Sequence, residues 1–289
     1  MSKDGKNASK DAKIASSTPL VTHREFKLLL KPKSFLTRRA VMDFNGILQD
    51  ATEKLGVHYD PVESLDSQLR IVQFYDTAAE DLRKNKLIFR IRQIRQGGWP
   101  DDSWELTFKC RADDYEKAAG FDTDSTLTQL QRKKFKQELV RGETPGSMNS
   151  IYSNNVIVQY PEIAADAPLS RLADALPHLK TIGLDLNQTM SIVAGAKVFE
   201  LQCDLGMLNF GHGVSAKATL AVWARPVPDR FDPFVAEFGF STHVINNDEK
   251  EAKGQRAADE YFKALQVPLH SYLFDGTTKT ALIYGDEGA

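Results

Sequence analysis

Charged and apolar residues alternate at period two along several segments of this chain, and that alternation restricts its fold more than any other feature of the 289 residues. In LIFRIRQI (87–94), Leu87, Phe89 and Ile91 share one face of an extended chain while Arg90 and Arg92 share the other. WELTFK (104–109) sets Trp104, Leu106 and Phe108 against Glu105, Thr107 and Lys109, and KKFKQELV (133–140) sets Phe135, Gln137 and Leu139 against Lys134, Lys136 and Glu138. In FVAEFGFS (234–241), Glu237, Gly239 and Ser241 oppose Ala236, Phe238 and Phe240. The first such segment, LVTHREFKLLLK (20–31), opposes His23, Glu25 and Lys27 to Arg24, Phe26, Leu28 and Leu30.

Three other segments have helical periodicity and need an apolar surface to lie on. Val41, Phe44, Leu48 and Leu55 form a stripe between Ser34 and Gly56; Leu169, Leu172, Ala173 and Leu176 form one over 167–177, with Asp166 as cap and Pro168 in the first turn; Ala258, Tyr261, Phe262 and Leu265 form one between Glu249 and Gln266. Further strands are expected at 70–77, 197–206 and 217–225. A period-two segment taken alone most often belongs to an open sheet with one wet face. Helices that must cover the apolar faces reverse that reading for the set, because the charged faces are then enclosed. The expected fold is α+β: an eight-stranded antiparallel β-barrel, or tunnel, with a polar lumen and amphipathic helices packed outside.

Residues 1–19, charged and rich in small side chains, read as a disordered tail, and 20–289 as a single barrel domain. An insertion is expected near 142–196, and the segment 276–285 reads as a short strand or plug.

A lumen collecting Lys27, Arg90, Arg92, Lys109 and Lys136 beside Glu25, Glu138 and Glu237 cannot be dry, since each unpaired buried charge costs several kcal/mol. Guanidinium forks match phosphate oxygens and carboxylates hold hard cations, so a metal-bound polyphosphate would satisfy both signs. The formal net charge of −2 gives no general attraction to nucleic acid or to an anionic membrane, so any anion site is local. No apolar run reaches the roughly 20 residues of a membrane span. Cys110 and Cys203 are far apart and outside any zinc-ligand spacing, which points to a reduced compartment and a cytoplasmic location. Neither a P-loop nor a GxGxxG motif is present.

In order and spacing, HREFK (23–27), FYDT (74–77), RIR (90–92), LTFK (106–109), KQE (136–138), CDLG (203–206) and AEFG (236–239) resemble the motifs of the CYTH family, the triphosphate tunnel metalloenzymes. The resemblance runs from about Val21 to Gln266 and is weakest over 142–196. It implies binding and hydrolysis of an inorganic or organic triphosphate with Mg²⁺ or Mn²⁺. It also implies roles: Lys27, Arg90, Arg92, Lys109 and Lys136 on the phosphates, with Arg225 a further basic candidate; Glu25, Glu138 and Glu237 on metal; Lys27 and Glu25 at the chemical step.

Three carboxylates of the family pattern are replaced here, by His23, Val140 and Gly239. His23 could ligate a softer ion such as Mn²⁺ or act as a base, but a lone strand histidine is more often a neutral, hydrogen-bonded residue, and no catalytic role is assigned to it. Glu200, Gln202 and Asp204 share one face and either restore acidity to the lumen or face solvent. Three functions follow: a divalent-metal-dependent triphosphatase, a polyphosphate- or nucleotide-binding module that has lost catalysis, or an adenylate cyclase of the class IV type. The expected partner is a triphosphate-containing small molecule or polyphosphate, with no nucleic acid and no membrane.

Overall fold

The computed structural model describes residues 20–97, 99–127, 131–160, 167–195, 197–227, 230–246, 248–275 and 278–285, so the expected N-terminal tail and Asp166 lie outside the described residues. The chain begins with β1 (His23–Leu30), α1 (Arg38–Lys54), β2 (His58–Pro61), β3 (Ser67–Thr77), α2 (Asp81–Lys84), β4 (Leu87–Gln96), β5 (Trp99–Ala112) and α3 (Tyr115–Ala119). It continues with β6 (Arg132–Arg141), β7 (Met148–Tyr160), α4 (Leu169–Ala175), β8 (Met190–Ile192), β9 (Val198–Asn209), β10 (Ser215–Val227), β11 (Arg230–His243), α5 (Glu249–Leu265) and α6 (Lys279–Ile283).

Nine strands close into a barrel in the order β9-β10-β11-β1-β6-β7-β5-β4-β3, with β3 returning to β9; β2 and β8 add short extensions outside the ring. The ninth strand is β7, which lies within the stretch expected to be an insertion and pairs with both β5 and β6. Its presence also changes the pairing rule. Strand direction around a closed ring can reverse only an even number of times, so nine strands cannot all be antiparallel. The single parallel contact is β1 with β6, and it places Glu25 opposite Glu138.

The apolar faces point outward, as the alternation requires. Phe26, Leu28 and Leu30 of β1 and Phe238 and Phe240 of β11 pack with Phe44 and Leu48 of α1 and Phe262 and Leu265 of α5. On the other side Phe89, Ile91, Leu106 and Phe108 lie beneath Leu82 of α2 and Leu169 and Leu172 of α4. Thr37 caps α1, accepting from the Ala40 backbone N–H, so the helix starts after a 3-10 turn at Pro32–Phe35 rather than at Ser34. Thr52 and the Tyr261 hydroxyl, 2.8 Å apart, join α1 to α5.

Inside the barrel the character changes along the axis. Beyond the charged residues, Val72, Phe74, Ile88, Val198, Trp223 and Val235 form an inward apolar cluster, completed by Leu282 and Ile283 of α6. The plug expected at 276–285 is therefore helical over Lys279–Ile283, and 276–277 lie outside the described residues. The Tyr284 hydroxyl lies 3.1 Å from Asp76, whose carboxylate also accepts from the backbone N–H groups of Thr77, Leu82 and Arg83. Among the described residues, no helix is long and apolar enough to cross a membrane.

Candidate functional site

The inward faces of the charged strand segments enclose a cavity of about 780 Å³. Its wall carries eleven lysine and arginine side chains against five glutamates, a local positive excess in a chain whose formal net charge is −2. Period two explains the concentration: β1, β4, β5, β6, β9 and β11 each turn alternate residues inward, and toward this end of the barrel many of those positions are ionisable.

Two charge clusters organise the wall. In the first, the Lys27 ammonium lies 2.8 Å from Glu25 and 3.1 Å from Glu138. Lys136 pairs with the other oxygen of Glu25, while Arg111 (2.9 Å) and Lys109 (3.5 Å) reach Glu138. Burial works against ionisation of Glu25, but Lys27 and Lys136 hold its carboxyl well below the usual range. Glu138 is likewise held low against burial, by Arg111, Lys109 and Lys27. In the second cluster, Glu200 receives Arg70 and Arg92, both at 3.3 Å, and Arg92 also reaches Glu105 at 3.5 Å.

The cations are only partly satisfied. Arg90 donates to the Thr107 hydroxyl at 3.0 Å, yet the Nε atoms of Arg90 and Arg92 are buried without a hydrogen-bond partner among the described residues. Burial, with Arg92 beside it, pushes Arg90 down to about 10. Burial also pushes Lys109 down to about 7; Glu138 opposes this, while Arg111, Lys27 and Arg90 reinforce it. These groups gain from an anion that supplies oxygens to the cavity.

Lys27, Arg90, Arg92, Lys109, Lys136, Glu25, Glu138 and Glu237 all line this one cavity. Arg225 does not: it shares the inward face of β10 but lies exposed, its guanidinium 5.0 Å over the Phe234 ring. Glu200 and Gln202 face the lumen, whereas Asp204 pairs with Lys217 at the rim. A Cβ at Gly239 would meet the Phe26 carbonyl oxygen at 3.0 Å, so the backbone of β1 leaves little room for a side chain at this position. His23 has its Nδ1 2.8 Å from the Thr22 hydroxyl, and its ring is 4.4 Å from that of His243. Burial first, then Lys134, His243 and Lys136, push His23 down to about 4, leaving a neutral imidazole at neutral pH.

Sequence reasoning missed Arg70, Arg111, Arg132 and Lys279 as lumen residues. Arg111 was findable, since it continues the Thr107, Lys109 alternation by one further step. Lys279 was not: it reaches Glu237 at 2.9 Å and the Trp223 ring at 4.6 Å from a helix after β11, with no strand period to mark it. A second cavity of about 980 Å³ lies beside α6, lined in part by Arg83, Lys86, Arg141 and Tyr284, and shares Lys27 and Arg111 with the first.

The carboxylates of the lumen already have cations beside them. The position between Glu25 and Glu138 is taken by the Lys27 ammonium, and Glu237 is engaged by Lys279. Among the described residues no group of three or more His, Cys, Asp or Glu side chains is arranged to hold a metal. The carboxylates are thus already compensated, and the set does not fit a resident Mg²⁺ or Mn²⁺.

No protein-family model matches the chain, and no curated protein matches it. Solved structures do. A proposed adenylyl cyclase of Hippeastrum, described as having a dominant triphosphatase activity, is 14% identical with a TM-score of 0.44, covering 93% of this chain and 98% of that one. A proposed adenylate cyclase of Bacillus halodurans is 8% identical, TM-score 0.36, covering 91% and 97%. One of Vibrio parahaemolyticus is 10% identical, TM-score 0.31, covering 90% and 97%.

Proposed function

We propose that this protein binds a polyphosphate, either inorganic triphosphate or the triphosphate group of an organic molecule, inside the barrel, and does so without a resident metal ion. The observation that carries this reading is the convergence of Arg90, Arg92 and Lys109 on one cavity, with the buried guanidinium Nε atoms of Arg90 and Arg92 lacking partners among the described residues. A triphosphate brings several anionic oxygens on a short chain, which suits cations arrayed on adjacent strands. In this reading Arg70, Arg90 and Arg92 hold one end and Lys27, Lys109, Arg111 and Lys136 the other.

Hydrolysis with Mg²⁺ or Mn²⁺, which the family resemblance implies, is less well supported by the site, because Glu25, Glu138 and Glu237 are each compensated by side-chain cations. Thermal unfolding in low salt with sodium tripolyphosphate and a chelator tests the proposal. At a hundredfold excess over Kd, native-state binding contributes about 2.7 kcal/mol, raising Tm by roughly 5–10 °C. A shift that appears only when Mg²⁺ or Mn²⁺ is added, or no shift at all, would count against it.

A further inference from the structure

Resting on that reading of the lumen, we propose that His23 is a phosphoryl acceptor, its Nε2 taking the terminal phosphoryl group of the bound polyphosphate to form phosphohistidine.

The tautomer follows from the hydrogen bonds. The Thr22 hydroxyl carries one proton and has two neighbours, the Phe135 carbonyl oxygen at 3.0 Å and His23 Nδ1 at 2.8 Å. A carbonyl oxygen only accepts, so both contacts are satisfied only if the hydroxyl donates to Phe135 and His23 Nδ1 donates to the hydroxyl. That leaves the lone pair on Nε2. The ring belongs to the cavity wall, so this nucleophilic nitrogen is built into the anion site.

The surroundings suit anion chemistry and not metal ligation. Lys136 is the register partner of His23 on β6, and Lys134, on the same inward face of β6, also lines the cavity. His243 is its partner on β11, and the two rings lie 4.4 Å apart. A metal ion at this histidine pair would face two ammonium groups, whereas a phosphoryl group in transfer would be stabilised by them.

The step balances. The Nε2 electron pair forms a bond to the terminal phosphorus; the bond from that phosphorus to the bridging oxygen breaks; diphosphate leaves with the electron pair, its charge met by the lumen cations. The Nδ1 proton stays in its hydrogen bond to Thr22. Water then cleaves the P–N bond, releasing orthophosphate and restoring the Nε2 lone pair, so the sum is triphosphate plus water giving diphosphate plus phosphate.

The test mixes the full-length protein with inorganic tripolyphosphate, quenches rapidly in alkali and measures intact mass, phosphopeptide position and acid lability, with calorimetric binding recorded on the same samples. The expected result is a single phosphoryl adduct on the peptide containing His23, stable in base and lost in acid, and absent from His23→Gln and His23→Asn. Thr22→Val is expected to slow adduct formation roughly tenfold while tripolyphosphate still binds. Binding without an adduct in the wild-type protein overturns this inference and leaves the binding proposal standing; an adduct mapping to another residue also overturns it. Absence of binding overturns both.

Discussion

Glu25 and Glu138 are register partners across the barrel's one parallel strand pair, and the ammonium of Lys27 lies within 2.8 and 3.1 Å of their respective oxygens. Two neighbouring carboxylates in a half-dry lumen cannot both ionise without an intervening cation. Here the cation is part of the chain. Lys27→Met removes it, leaving Glu25 with Lys136 and Glu138 with Lys109 and Arg111. The expected cost is about 2–3 kcal/mol, below the range for a fully buried pair because Lys27 and Glu25 keep some exposure. Urea denaturation at neutral pH measures it; an unchanged midpoint would contradict this account of the pair.

Arg90 separates stability from binding. It has a hydroxyl partner, a buried Nε without one, and Arg92 as a repulsive neighbour. Arg90→Met is therefore expected to leave the unliganded protein as stable or more so, while weakening tripolyphosphate binding by about 10–100-fold, the worth of one charged hydrogen bond. Denaturation and calorimetry on the same variant give the two readings. A large loss of stability would mean that Arg90 is satisfied within the fold.

Lys109 sets the pH dependence. Its folded value, about 7, lies below the ordinary 10.5, so between these values the unfolded chain holds a proton that the folded chain does not. Unliganded stability should therefore gain a contribution as pH rises from 7 towards 10.5. A bound polyanion favours the charged ammonium, so binding near and above pH 7 should take up protons and weaken as pH increases. Titrations in two buffers of different ionisation enthalpy measure that uptake, and Lys109→Met should abolish most of it. Glu25, Glu138 and Glu200, held below the ordinary 4.5, contribute stability that is present above that value and lost as pH falls below it.

The C-terminal segment stabilises the inner end of the barrel. Ile283 is buried in the lumen's apolar cluster, Lys279 compensates Glu237, and Tyr284 caps Asp76. Ile283→Ala is expected to cost about 2–4 kcal/mol by leaving a cavity. Ending the chain at Asp275 should cost more, since it also strands Glu237 beside Trp223. Equal unfolding midpoints for the full and shortened chains would refute this.

Much of this architecture can be read from residue spacing, and the failures have physical causes. Each of Glu25, Lys27, Arg90, Arg92, Lys109, Lys136 and Glu138 turns inward because a strand allows its residues only two directions, and the outer one was claimed by Phe26, Phe89, Phe108 and their neighbours. The strand β7 escaped because NSIYSNNVIVQY mixes asparagine and serine with β-branched residues on both faces, so the alternation is blurred. With β7 unseen, the odd strand number and the parallel β1–β6 contact were out of reach. Arg225 keeps the inward parity of its strand but lies past the rim, and parity says nothing about depth. The ion pairs of Glu25, Glu138 and Glu237 depend on side chains from four strands and α6 meeting, which no local pattern records.

The central claim is tested most directly by calorimetric titration of the protein with inorganic tripolyphosphate in the presence of a chelator, at low and at moderate salt. Saturable one-site binding that weakens steeply with added salt, and is lost together with Arg90 and Arg92, is the result this account requires. Heat that appears only after Mg²⁺ or Mn²⁺ is supplied, or affinity indifferent to replacement of those two arginines, would contradict it.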